Sequence, residues 1–155
     1  MKNILVLIFT IFSNTSLLNA HCQIPCGIYD DNARILSMIE DFKTIDKAMI
    51  KIKELSNDQD ALSKNQLTRW IETKDKHASN IQNTVSTYFL SQRIKESNKN
   101  YFNQMNVLHK ILVTAMKCKQ TLDNENFKTG LDLIDLFSKI YLDSDQLQRL
   151  KEYNK

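Results

Sequence analysis

Glycine and proline are nearly missing: the 155 residues hold two glycines and one proline. Pro25 and Gly27 both fall in one short loop near the start, so the rest of the chain has almost nothing to interrupt helices. Cysteine is scarce as well, and its count of three is odd. An odd count leaves at least one thiol unpaired or committed to another task. Strong charge of either sign is absent too. The formal balance is +3, which does not argue for nucleic acid as a partner. No internal repeat, low-complexity tract or second domain is visible.

The first twenty residues have a composition of their own. One cation, Lys2, precedes an apolar run from Ile4 to Phe12, and the polar stretch SNTSLLNA then ends on Ala20. That layout is expected of a secretory leader, residues 1–20, removed by a leader-processing peptidase. The alternative is an uncleaved N-terminal anchor, but the apolar run is well short of the roughly 20 residues that span a bilayer. Leu18 is larger than the residue usually favoured three positions before a cut. His21 before Cys22 gives no lipoprotein signal. Cleavage after Ala20 removes one of 21 basic residues and none of the 18 acidic ones, leaving a mature balance of +2. The expected destination is secreted or periplasmic, and residues 21–155 are long enough to bury a core as a single domain without disulfide staples.

The mature chain reads as all-α. From Asp30 to about Leu55, Ile35, Met38, Ile39, Phe42, Ile45, Met49, Ile52 and Leu55 recur at helical spacing. Ser56–Asp60 is polar and reads as a turn. A second helix is expected from about Ser63 to Lys95, with Leu67, Trp70, Ile71, Lys74, Ala78, Ile81, Val85, Tyr88 and Phe89 on its inward side. A third runs from about Lys99 to Leu122 with Phe102, Met105, Leu108, Leu112, Ala115 and Leu122 inward. The fourth, from about Glu125 to Tyr141, carries Phe127, Leu131, Ile134, Phe137 and Tyr141, and a short amphipathic tail surrounds Leu147 and Leu150. Four such segments with short polar connections predict an antiparallel four-helix bundle.

Chemistry is concentrated just before the first helix, in His21-Cys22-Gln23-Ile24-Pro25-Cys26-Gly27-Ile28-Tyr29. If His21 becomes the first residue, its α-amine and imidazole, the Cys22 amide nitrogen and the thiolates of Cys22 and Cys26 can converge on one ion, with the turn at Pro25-Cys26-Gly27 folding Cys26 back. Thiolates suit zinc, copper or nickel, whereas an amine and a deprotonated amide in a tight chelate favour square-planar Ni(II) or Cu(II). Zinc prefers a closed tetrahedron. The chelate ring from amine to amide exists only when His21 is truly first, so processing is part of making the site. These donors alone fix neither the metal nor the substrate.

The string H-C-x-x-P-C-G-x-Y at a processed N-terminus, with Asp30 and a four-helix body behind it, resembles the hook of nickel-containing superoxide dismutases. The resemblance implies a four-helix bundle with an N-terminal metal-binding hook, assembled as a homohexamer, that disproportionates superoxide to oxygen and hydrogen peroxide through Ni(II)/Ni(III) cycling. It implies a single nickel per chain, held by the His21 amine and imidazole, the Cys22 amide nitrogen and sulfur, and the Cys26 sulfur. It also implies that Tyr29 and Tyr88, the latter in Tyr88-Phe89 of the long second helix, flank the open face of the metal. The family can place a glutamate early in the first helix and an arginine in the second to support the axial imidazole. Here the first-helix region reads Arg34-Ile35-Leu36-Ser37, and Arg69 is the candidate for the arginine.

Other readings of these residues stand beside that one. Cys22 and Cys26 can form a disulfide in an oxidising compartment, which would make the protein a non-catalytic secreted metal-binding or interaction bundle. The same donors also suit copper handling. A thioredoxin-like pair is disfavoured because the spacing is C-x-x-x-C and no βαβ pattern surrounds it. Cys118 reads as a buried free thiol, and His77 and His109 as ordinary boundary or surface histidines. Trp70 and the methionines at 38, 49 and 105 read as core, and Lys47, Lys51 and Lys53 as a solvated face.

Overall fold

A computed structural model of the protein describes residues 30–153. The expected leader and the hook His21–Tyr29 lie outside the described residues. Within them every regular element is helical: α1 Asp31–Leu55, α2 Ala61–Asn83, a π-helical continuation of α2 over Thr84–Arg93, α3 Tyr101–Gln120, α4 Asn124–Tyr141 and α5 Ser144–Tyr153.

The helix starts follow from side chains that satisfy the free N–H groups of a first turn. Asp30 accepts from the Asn32 N–H at 2.9 Å, Asp60 from the Ser63 N–H at 3.0 Å, and Asp123 from the Glu125 N–H at 3.0 Å. Asp60 directly follows the polar connection Ser56–Gln59, so that turn ends where the cap begins. The tail forms α5, started by the Asp143 carboxylate, which accepts from the Gln146 N–H at 2.8 Å.

Helices α1 to α4 form an antiparallel four-helix bundle in which α1 packs on α2, α2 on α3, α3 on α4 and α4 on α1. Cross-helix bonds run in descending register, as antiparallel packing demands. Between α1 and α2 they run from Asp31–Tyr88 to Asp41–His77. Between α2 and α3 they run from Lys74–Cys118 carbonyl to Gln82–Leu112 carbonyl. Phe42, Phe89 and Phe137 from three of the helices are fully buried, with Ile35, Met38, Ile45, Met49, Ile81, Leu108, Ile111 and Ile134 around them. Burial of such side chains contributes roughly 1.5–3 kcal/mol each.

At Gly130, α4 lies directly against the Phe42 ring of α1. A Cβ there would sit 2.8 Å from Phe42 Cδ1 and nearer still to Cε1 and Cζ. Any larger residue must move a ring that has no free space around it.

The structure corrects the expected face of α3. Phe102 is 83% exposed and Met105 lies at the surface, whereas Gln104, Val107, Leu108, Ile111, Thr114, Ala115 and Cys118 face inward. The buried Gln104 accounts for the rotation, because its amide donates to the Ile140 carbonyl at 3.2 Å and so satisfies a free acceptor at the end of α4. Ile71, expected inside, is also exposed. Lys74 is buried as its place in the stripe implies, and its ammonium bonds Asp75 and the carbonyls of Cys118 and Lys119 at the end of α3. Among the described residues no helix is long and apolar enough to cross a membrane.

Candidate metal centre

The antiparallel order brings the start of α1, the end of the π-helical segment, the start of α3 and the end of α4 to one end of the bundle. The hook leads directly into that end, because Tyr29 precedes the Asp30 cap. Tyr88 lies there, 7% exposed. Its hydroxyl donates to Asp31 Oδ1 and accepts from Arg93 Nη2 at 2.9 Å. Arg93 Nε lies 3.1 Å from Asp31 Oδ1. The second carboxylate oxygen, Asp31 Oδ2, accepts from the Tyr141 hydroxyl at 2.7 Å.

Local helix geometry explains the pairing of Tyr88 with Arg93. At 3.6 residues per turn, a side chain five positions on would point about 140° away around an α-helix. In a π-helix the backbone bonds reach five residues back instead of four and each turn holds more residues, which brings Arg93 back over Tyr88, its guanidinium carbon 4.9 Å from the ring centroid. The wider turn is visible in the Ile94 N–H to Phe89 carbonyl bond at 3.0 Å and in the bonds from Ser91 Oγ and Gln92 Nε2 to carbonyls five residues back. Thr84, Val85, Ser86 and Thr87 favour the departure from α geometry. They are β-branched or carry hydroxyls that bond earlier carbonyls, as Ser86 does to Gln82 and Thr87 to Asn83.

Ring packing limits movement of both phenols. Tyr88 meets Phe89 edge-on at 5.1 Å, Phe89 meets Tyr141 edge-on at 5.5 Å, and Phe137 stacks on Tyr141 at 4.9 Å. Burial, and then the bond to Asp31, push both tyrosine hydroxyls above their ordinary titration range. The guanidinium carbon of Arg34, on α1, lies 5.4 Å from the Tyr88 ring centroid. Two guanidiniums and the Asp31 carboxylate therefore meet around one buried phenol.

Of the residues singled out in the sequence, Tyr88 falls in this cluster, while His21, Cys22, Cys26 and Tyr29 lie outside the described residues. Arg69 does not join it. It is exposed on α2, nineteen residues before Tyr88, or roughly 28 Å along the helix. Arg93 bonds the Tyr88 hydroxyl, and the acid beside it is Asp31. Neither has the spacing of a motif; the Thr/Val/Ser/Thr run before Tyr88 is the sequence signal that could have found the first, through the change of helix type.

The remaining candidates are structural. Cys118 is fully buried, and loss of water around it pushes its thiol up to about 11 despite the nearby Lys74. His77 Nδ1 pairs with the buried Asp41 carboxylate of α1 at 2.6 Å, a partner across the helices, and His109 is exposed. Among the described residues no group of three or more His, Cys, Asp or Glu side chains could hold a metal ion. The donor set of His21, Cys22 and Cys26 fits nickel on chemical grounds: two soft sulfurs, two nitrogens in a small chelate ring and an imidazole.

A family model for nickel-containing superoxide dismutase matches residues 16–145, which include the whole hook and all four bundle helices. The chain belongs to that family. The nickel superoxide dismutases are oxidoreductases, so nickel is the cofactor and the all-α bundle its scaffold. No curated protein and no solved structure matches the chain.

Proposed function

We propose that the protein disproportionates superoxide to oxygen and hydrogen peroxide, with nickel held by the His21 α-amine and imidazole, the Cys22 amide nitrogen and sulfur, and the Cys26 sulfur. The observation that carries this reading is the convergence of Tyr88, Asp31 and Arg93 at the bundle end into which the hook leads. Bound nickel supplies a one-electron couple between Ni(II) and Ni(III), brought within reach by thiolate and amidate donation.

The chain's own groups bind and gate. Tyr29 and Tyr88 flank the approach, admitting a small anion and water while excluding larger ligands. Arg93 and Arg34 lie against the Tyr88 ring, and Asp31 pairs with Arg93, so attraction of superoxide depends on where the guanidiniums stand rather than on net charge. Tyr88 orders rather than supplies protons. Its own proton is donated to Asp31, and giving it up would leave a phenolate beside a carboxylate in a buried place. The two protons of peroxide are then left to Tyr29 and to water entering the site. The Cys22 amidate lowers the potential and limits oxidation of the Cys22 and Cys26 sulfurs, a hazard where peroxide is made.

Residues 1–20 act in this reading as a leader that a peptidase removes, leaving 21–155 as one domain in a secreted or periplasmic homohexamer. The test compares a chain beginning at His21 with one carrying an added alanine before it. The first should take up nickel and dismutate superoxide, and the second should lose both because the amine is displaced. Equal activity in the two forms refutes the ligand set.

A further inference from the structure

Asp31 joins three elements at the hook end of the bundle. It stands in the first turn of α1, receives the Tyr88 hydroxyl and Arg93 from the π-helical segment on Oδ1, and receives the Tyr141 hydroxyl from the end of α4 on Oδ2. It lies eleven residues before Phe42, and Tyr141 lies eleven residues after Gly130. The close packing of Phe42 on Gly130 therefore sets, three helical turns away, the separation at which Asp31 meets Tyr141.

We propose that Asp31 is the positioning residue of this site: its carboxylate, anchored by Tyr141 and Arg93, fixes both the place and the proton of the Tyr88 hydroxyl. A carboxylate suits the task because it has two acceptor oxygens and a charge. An amide of the same shape has one acceptor oxygen, offers N–H groups where acceptors are needed, and leaves Arg93 without its counter-ion. The aromatic contacts hold the two phenol rings, so the direction of the Tyr88 O–H bond is decided by what accepts from it. Tyr141 acts on Tyr88 through Asp31, to which its hydroxyl donates. The proposal rests on the nickel superoxide dismutase reading.

Asp31→Asn in the processed full-length chain tests it with two readouts. In nickel-free protein, ultraviolet titration of the phenols should show two tyrosines ionising at lower pH than in the wild type, because the carboxylate that opposes the phenolates is gone. In nickel-loaded protein, kcat/KM should fall about tenfold, the size expected when a supporting partner of a metal site is removed, at unchanged nickel content. If Asp31→Asn does not fold, Tyr141→Phe replaces it. That variant deletes one hydroxyl and should lower kcat/KM about fivefold, as for one lost hydrogen bond, again with nickel unchanged. An unshifted titration, or undiminished kcat/KM at matched nickel content, overturns the proposal while leaving the enzyme reading intact. A wild-type chain that takes up no nickel overturns the reading and the proposal together.

Discussion

Replacing Gly130 with alanine sets two effects of opposite sign against each other. In an open helix the change would stabilise by about 1 kcal/mol, because glycine is the poorer helix former. Here the new methyl would lie 2.8 Å from Phe42 Cδ1 and closer to two further ring atoms, and Phe42 is fully buried among Met38, Ile45 and their neighbours. Overpacking of that kind costs about 1–3 kcal/mol, and with three ring atoms inside normal contact the upper end applies. The net loss should be about 2 kcal/mol, a fall in Tm of roughly 6 °C for a domain of this size. Thermal unfolding of nickel-free protein followed by circular dichroism measures it. A second change, Phe42→Leu, removes the ring atoms that clash, so the double variant should lose about 1–2 kcal/mol less than the sum of the single losses. A Gly130→Ala chain as stable as the wild type, or more so, would refute the idea that this contact sets the spacing of α1 and α4.

Lys74→Met should lower stability by about 1–3 kcal/mol, because the ammonium satisfies the carbonyls of Cys118 and Lys119 at the end of α3; denaturant melts would show a lower midpoint at unchanged slope. Tyr88→Phe should keep its nickel and its fold while kcat/KM drops about tenfold, since only the hydroxyl bonded to Asp31 and Arg93 is lost; loss of metal instead would place Tyr88 among the ligands' direct supports. Cys118 should resist thiol reagents at pH 8 in the folded protein and react on unfolding. Its thiol stays protonated to about 11 when folded, against an ordinary 9.0, so between those values the folded chain binds the proton that the unfolded chain has released. Stability should then fall with rising pH by about 1.4 kcal/mol per unit, and Cys118→Ala should flatten that part of an alkaline stability curve.

The bundle was legible because spacing alone decides it: the runs through Ile35–Ile52 and Ile134–Tyr141 allow few other arrangements, and the observed boundaries of α1 and α4 follow the periodic segments closely. The face of α3 was less so. Phe102 and Met105 repeat at helical spacing as well as the true core does, and only the burial of Gln104 against the Ile140 carbonyl separates the two stripes. The hook, which lies outside the described residues, offered its candidate donors within six positions of the sequence. The cluster behind it did not, since Asp31, Arg93 and Tyr141 are far apart in the chain and meet through antiparallel register and a π-helical turn. Helical periodicity counts residues at 3.6 per turn, and a π-helical segment, with its wider turn, places Arg93 where such counting would not look.

The central claim is that a chain starting at His21 wraps its amine, imidazole and two sulfurs around nickel. N-terminal sequencing of the native protein, combined with metal analysis of the same sample, tests it most directly. The native protein should begin at His21, with stoichiometric nickel and both hook thiols reduced. A different first residue, or a Cys22–Cys26 disulfide without nickel, would contradict it.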